Sequence, residues 1–128
     1  MSSNLPPTRT IRVLIVDDEP DLRLLLRTML SIDQRVEIAG EAADGAEGLA
    51  LFRALRPDVL VVDQRMPVLE GMEVAARVLA DHPDQTVILM SAFLNDAIVE
   101  QATGLGIRRV MGKQNLMDIV DEIVGLVA

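Results

Sequence analysis

Five short apolar runs, mostly of β-branched residues, recur along the chain with helix-patterned stretches between them: Ile11 to Val16, Val36 to Gly40, Val59 to Val62, Thr86 to Met90 and Ile107 to Met111. Runs this short and this apolar read as strands buried on both faces. The stretches between them place apolar residues three and four apart. The pattern is clearest at the end, where Leu116, Ile119, Val120, Ile123, Val124 and Val127 form one stripe that must pack on a sheet. The first helix is expected to start near Glu19, with Pro20 in its first turn, and to bury Leu22, Leu25, Leu26 and Met29. Further helices are expected over Ala46 to Leu55, Gly71 to Asp81 and Asn95 to Thr103, the first stopped by Pro57 and the last by Gly104. Strict alternation of strand and helix requires a parallel sheet with right-handed crossovers and helices on both faces, a three-layer, doubly wound α/β fold.

A chain of 128 residues, half of them hydrophobic, supports one substantial core and one domain. The segment from Met1 to Thr10 is polar, carries two prolines and lacks the basic start and apolar run of a signal peptide; it is read as a flexible tail before a domain over residues 11–128. With 20 acidic residues against 12 basic and a formal charge of -8, direct binding to nucleic acid or an anionic membrane is disfavoured. No apolar segment is long enough for membrane insertion, so a cytoplasmic location is expected. The absence of cysteine excludes disulfides, thiolate metal sites and thiol catalysis. Two phenylalanines and no Trp or Tyr leave little for a cofactor that needs aromatic stacking.

In an open parallel sheet, ligands bind beyond the carboxyl ends of the strands. There the sequence puts Asp17, Asp18 and Glu19 after the first strand, Asp63 after the third, Ser91 after the fourth and Lys113 after the fifth. Carboxylates held together raise one another's pKa unless a cation sits among them, and hard oxygen ligands suit Mg²⁺. With such an ion on Asp17 and Asp18, Asp63 can attack a phosphoryl group and become an acyl phosphate. Mg²⁺, Lys113 and the Ser91 hydroxyl would stabilise the charge on the transferred group. Taken singly, each residue has an ordinary reading: Asp17 or Glu19 as a helix cap, Asp63 as a turn residue before Met66 and Pro67, Ser91 and Lys113 as solvated loop residues. Their joint occurrence at four strand ends favours the chemical reading. His82, the only histidine, is read as a surface residue, and Asp44-Gly45 as a turn before a helix.

The stretches VLIVDDEP, PDVLVVDQRMP, LMSA and GIRRVMGK, in this order and spacing, resemble the receiver domain of bacterial two-component response regulators from Ile11 to Val127, with a first half most like NarL-type receivers. The resemblance implies a flavodoxin-like sandwich with strand order 2-1-3-4-5. It also implies that a histidine kinase or a histidine phosphotransfer protein phosphorylates Asp63. Asp18, Asp63 and the backbone carbonyl of Arg65 would then bind Mg²⁺ with Asp17 assisting, Lys113 would pair with the phosphoryl group, and Ser91 would swing toward it. Two positions depart from the family pattern. Val110 stands where the family carries an aromatic switch residue, and Gln114 replaces a proline joined by a cis bond; a cis bond to a non-proline residue costs about 3 to 4 kcal/mol, so a trans bond or an altered loop is expected. Activation is therefore expected to run through Ser91 and the loop carrying Phe93, with Val110 the remaining switch position. Arg65 and Phe93 occupy the two positions that influence acyl phosphate lifetime in the family, and their bulk implies slow self-dephosphorylation.

Because the pattern ends with the fifth helix, the expected output is another protein: a histidine phosphotransfer protein, a kinase, or a target that reads the face of the fourth helix, fifth strand and fifth helix, on which Arg108 and Arg109 read equally as contact residues or solvated edge charges. The main rival reading is a degenerate receiver that is never phosphorylated and serves as a constitutive interaction module. A flavin-binding domain would need a glycine- or hydroxyl-rich loop after the first strand. A haloacid dehalogenase-type phosphatase would need Asp-x-Asp there, where this chain has Asp17 and Glu19.

Overall fold

A computed structural model describes residues 9–127. Its strands are β1 (Ile11–Val16), β2 (Val36–Ala42), β3 (Val59–Asp63), β4 (Thr86–Ser91) and β5 (Arg109–Gly112). The helices between and after them are α1 (Pro20–Ser31), α2 (Gly45–Leu55), α3 (Gly71–Asp81), α4 (Asp96–Leu105) and α5 (Ile119–Val127). All strand pairs are parallel and the sheet order is β2-β1-β3-β4-β5, the order expected from the resemblance. Side chains alternate between two cores. Leu14, Val16, Leu60, Val62, Val87 and Leu89 meet α2, α3 and α4, whereas Val13, Ile15, Val59, Val61, Ile88 and Met90 meet α1 and α5. Because both faces are covered, the central strands β3 and β4 are buried along their whole length and β1 over its last four residues, and this is why these runs are so apolar in the sequence, whereas the edge strands β2 and β5 carry Glu37, Glu41 and Arg109.

Several boundaries differ from expectation for identifiable reasons. Gly104 lies inside α4, and Gly106 ends the helix in the left-handed conformation (φ 97°), with its N–H on the Ala102 and Thr103 carbonyls. β5 begins at Arg109, because Ile107 closes the α4 turn with its N–H on Ala102 O. A 3₁₀ segment, Lys113–Asp118, precedes α5, so Leu116 is buried by that segment and not by the helix. In α1, Leu25 is exposed and Leu30 takes its place in the core beside Leu26, while Leu22 and Met29 are half-buried. Val127 is exposed at the end of α5. His82 is not a free surface residue: it caps α3, lies half-buried and packs on the Phe52 ring at 5.6 Å. Asp44 does cap α2, accepting from the Glu47 N–H at 2.8 Å. Residues 1–8 of the expected tail lie outside the described residues; Arg9 pairs with Asp58 at 2.6 Å. The described residues contain no cis peptide bond, so Lys113-Gln114 is trans.

One close approach ties the fold to the ends of the strands. A Cβ on Gly71, the first residue of α3, would lie 2.3 Å from the Asp63 carbonyl oxygen and 2.9 Å from its carbon. Backbone atoms cannot rotate away, so Gly71→Ala must displace either α3 or the end of β3. The expected cost is about 2 to 3 kcal/mol, the upper part of the overpacking range, read by denaturant unfolding. A loss below ~0.5 kcal/mol would show that the helix shifts freely.

Candidate functional site

The carboxyl ends of β1 and β3 deliver the two most buried acids of the molecule. Asp17 continues the sheet by one bond past β1, its N–H donating to Ala42 O at 3.0 Å, and its Oδ1 accepts the Glu19 N–H at 2.8 Å. Asp63 is the last residue of β3, in register with Met90 of β4. Their side chains are almost wholly buried, at 0% and 1% exposure. Asp18 and Glu19 follow on the β1–α1 loop, and one carboxylate oxygen from each of Asp17, Asp18, Glu19 and Asp63 lies within 4.8 Å of the other three. Lys113, directly after β5, reaches back across the sheet. Its ammonium donates to Glu19 Oε1 at 2.7 Å and lies 3.1 Å from Asp63 Oδ1.

One ammonium among four carboxylates leaves an imbalance, which shows in the proton affinities and in unmet hydrogen bonding. Burial pushes the Asp17 carboxyl up to about 6, the Glu19 N–H pulls it back, and the neighbouring Asp63 charge raises it further. Asp63 is also raised by burial, against the hydrogen bond and charge of Lys113 that lower it. Burial lowers Lys113, but its hydrogen bonds to Glu19 and Asp63 together outweigh this and hold it above the usual lysine value. Asp17 Oδ2 and Asp63 Oδ2 are buried with no hydrogen-bond partner. Buried oxygens left in this condition cost free energy, and a hard divalent cation is the ligand that a cluster of such oxygens satisfies. The residues present therefore fit Mg²⁺.

Beside the cluster opens a crevice of about 360 Å³ lined by Glu19, Asp63, Arg65, Ser91, Phe93 and Lys113 among others. Asp18 and Arg65 line an adjoining opening with Met66, Pro67 and Glu70. The Ser91 hydroxyl is buried and donates to Phe93 O at 2.8 Å, while the Phe93 side chain is 75% exposed. Thus Asp17, Asp18, Asp63, Ser91, Arg65, Phe93 and Lys113 come together at one end of the sheet. Val110 does not line the crevice; it is half-buried against the core that includes α2 and α3. Glu19 occupies the N-cap position of α1 without making a side-chain cap, because its carboxylate goes to Lys113. Nothing in the local sequence signals that contact, since the partners are 94 positions apart. Gln64 is a second residue that sequence reasoning passed over: its Oε1 accepts the Met72 N–H at 2.8 Å and so caps α3 from the strand end.

Between Asp63 and α3 the chain makes a tight reversal, with the Leu69 N–H on Pro67 O at 2.8 Å and Val68 at φ 73°. A β-branched residue in that region is strained, and Val68 is 82% exposed, so packing gives nothing back. Val68→Asn is expected to stabilise the protein by about 1 kcal/mol in denaturant unfolding; a neutral or destabilising result would mean that the turn relaxes around valine.

Among the described residues, no helix is long and apolar enough to cross a membrane. The family model of the response regulator receiver domain matches residues 13–124. A protein-glutamate methylesterase/protein-glutamine glutaminase of Anaeromyxobacter dehalogenans is 45% identical over 86 residues, which make up 67% of this chain and 25% of that protein. The response regulator protein VraR of Staphylococcus aureus is 30% identical over 115 residues, 89% of this chain and 55% of its own length. The chain thus spans only about a quarter to a half of these curated relatives. Among solved structures, the signal receiver domain of NarL from Mycobacterium tuberculosis superposes with a TM-score of 0.82 at 35% identity, covering 92% of this chain and 99% of that one. The response regulator domain of Thermotoga maritima CheB gives 0.86 at 27% identity, covering 93% and 97%.

Proposed function

The chain belongs to the response regulator receiver domain family, and from that premise we propose that it is a phosphoacceptor switch, taking a phosphoryl group onto Asp63 with Mg²⁺ bound and signalling through protein contacts. The observation that carries this reading is the pair of buried, partnerless oxygens on Asp17 and Asp63, set among four carboxylates with Lys113 against Asp63. Asp18, Asp63 and the Arg65 carbonyl would hold the ion, with Asp17 assisting. When bound, Mg²⁺ supplies positive charge against the phosphoryl oxygens.

In the transfer, an Asp63 carboxylate oxygen attacks phosphorus. The oxygen–phosphorus bond forms as the nitrogen–phosphorus bond of a donor phosphohistidine breaks, and the imidazole nitrogen leaves with the bonding pair. Lys113 already lies against Asp63 and needs little movement to meet the incoming charge. The Ser91 hydroxyl exchanges its bond to Phe93 O for one to the phosphoryl group, releasing the Phe93 loop at the mouth of the crevice. A release of this kind can alter a surface read by another protein. The donor is a sensor histidine kinase or a histidine phosphotransfer protein, the recipient is a further protein, and the setting is the cytoplasm.

The acceptor turns over slowly because Phe93 and Arg65 line the crevice through which water must approach. Phe93→Ala should shorten the acyl phosphate half-life by up to roughly tenfold, equivalent to about 1.4 kcal/mol of barrier, in a mass-spectrometric time course. An unchanged half-life would remove Phe93 from this role. A second reading, a constitutive interaction module, draws on Val110, which packs aliphatically against the core with no ring to reorient. Intact mass after incubation with Mg²⁺ and acetyl phosphate separates the two. A gain of one phosphoryl group supports the acceptor, and no gain from acetyl phosphate, phosphoramidate or a phosphohistidine donor supports the module.

A further inference from the structure

The β1–α1 loop carries three of the four clustered acids, and one cation outside the cluster holds it by its backbone. Arg23, one turn into α1, donates from Nη1 to Asp17 O at 2.5 Å. The side chain is only 20% exposed, and its Nε lies 3.9 Å from Glu41 Oε1 on β2. Glu41 is fixed in turn by Arg27, which donates from Nε at 2.6 Å and from Nη2 at 3.0 Å. Asp17 is therefore held at three atoms: its N–H by Ala42 O, its carbonyl by Arg23 and its Oδ1 by the Glu19 N–H. Only Oδ2 is left without a partner.

We infer that Arg23 is a positioning residue for the divalent cation site, orienting Asp17 through its backbone carbonyl so that its carboxylate stays in the acidic cluster. The inference rests on the Mg²⁺ reading above and adds a residue that does not touch the ion. A charge-assisted bond to a carbonyl is stronger than a neutral one, and the Glu41 carboxylate 3.9 Å from Nε adds electrostatic attraction that favours this placement of the guanidinium. Groups that orient metal ligands from outside commonly carry tenfold to hundredfold effects on metal affinity. Because Arg23 acts on Asp17 and not on Asp63 or Lys113, its loss should raise the Mg²⁺ requirement more than it slows transfer once Mg²⁺ is saturating.

The test is calorimetric titration of the full chain with MgCl₂, comparing wild type with Arg23→Met, Arg23→Lys and, as a distant control, Arg77→Met on the exposed side of α3. Arg23→Met should bind Mg²⁺ about tenfold more weakly. Arg23→Lys, which keeps one donor, should recover part of that loss, and Arg77→Met should match wild type. Thermal unfolding without Mg²⁺ reads any purely structural role, and Arg23→Lys carries the comparison if Arg23→Met does not fold. Wild-type affinity in Arg23→Met, or in Arg23→Lys when only that variant folds, overturns the inference while leaving the Mg²⁺ reading intact. Failure of the wild type itself to bind Mg²⁺ overturns both.

Discussion

Replacing Asp63 by Asn is expected to abolish phosphoryl gain while leaving the fold intact. Asparagine is nearly the same shape, and its carbonyl oxygen can still accept from Lys113, which lies 3.1 Å from Oδ1. What it lacks is a negatively charged oxygen able to displace a leaving group from phosphorus, so acceptance should fall by roughly a thousandfold or more. The change should not destabilise the protein. Burial already disfavours the Asp63 charge, and Lys113 keeps Glu19 at 2.7 Å, so no ammonium is stranded. Intact mass after treatment with Mg²⁺ and acetyl phosphate, with thermal unfolding run alongside, separates the outcomes. A phosphoryl group on folded Asp63→Asn would move the acceptor to Asp17 or Asp18. An unfolded variant would mean that the Asp63–Lys113 contact is structural.

The architecture was legible because the two periods in the sequence never overlap. The central buried strands are apolar until their carboxyl ends, helices only on one stripe, and in Val59–Asp63 or Gly71–Asp81 the change between them falls at or within one residue of the observed boundary. Misreadings occurred where a helix end depends on three-dimensional closure. Gly104 and Gly106 are equally plain in sequence, yet Gly106 alone takes the left-handed conformation that lets Ile107 turn back onto Ala102. The acids at the strand ends could be located because the topology itself places strand termini around one crevice. The contacts that organise them could not. Glu19 bonds Lys113 from the far end of the chain, and Arg23 reaches a backbone carbonyl, which has no sequence signature. Glu41 lies beyond the expected second strand, Val36 to Gly40, and its role shows only where Arg27 and Arg23 converge on it.

In the absence of divalent cations, the ionisation of Asp17 alone should cost the folded protein about 3 kcal/mol as pH rises from about 4 to 7, the reverse of the usual behaviour of a paired carboxylate. The sign follows from Asp17, whose pKa is raised from 3.8 to about 6 by burial. Below the unfolded value both states hold the proton and the group contributes nothing. Between the two values the folded protein keeps a proton that the unfolded chain has released, so stability falls as pH rises. Above about 6 the penalty is complete, and a shift of roughly two units corresponds to about 3 kcal/mol. The raised pKa of Asp63 acts in the same direction. Asp33, lowered to about 2 by its hydrogen bonds from Arg35, works oppositely but only below its unfolded value, so it does not mask the effect. Mg²⁺ at pH 7 should restore much of the loss, since a ligand at a hundred times its Kd stabilises the folded state by about 2.7 kcal/mol. With no Trp or Tyr to report, urea unfolding followed by far-ultraviolet circular dichroism is the suitable measurement. Asp17→Asn should flatten the slope between pH 4 and 6. A wild-type slope no steeper than that of the variant would show that water or a rearranged loop already solvates the acid, and the case for a cation-hungry cluster would fail with it.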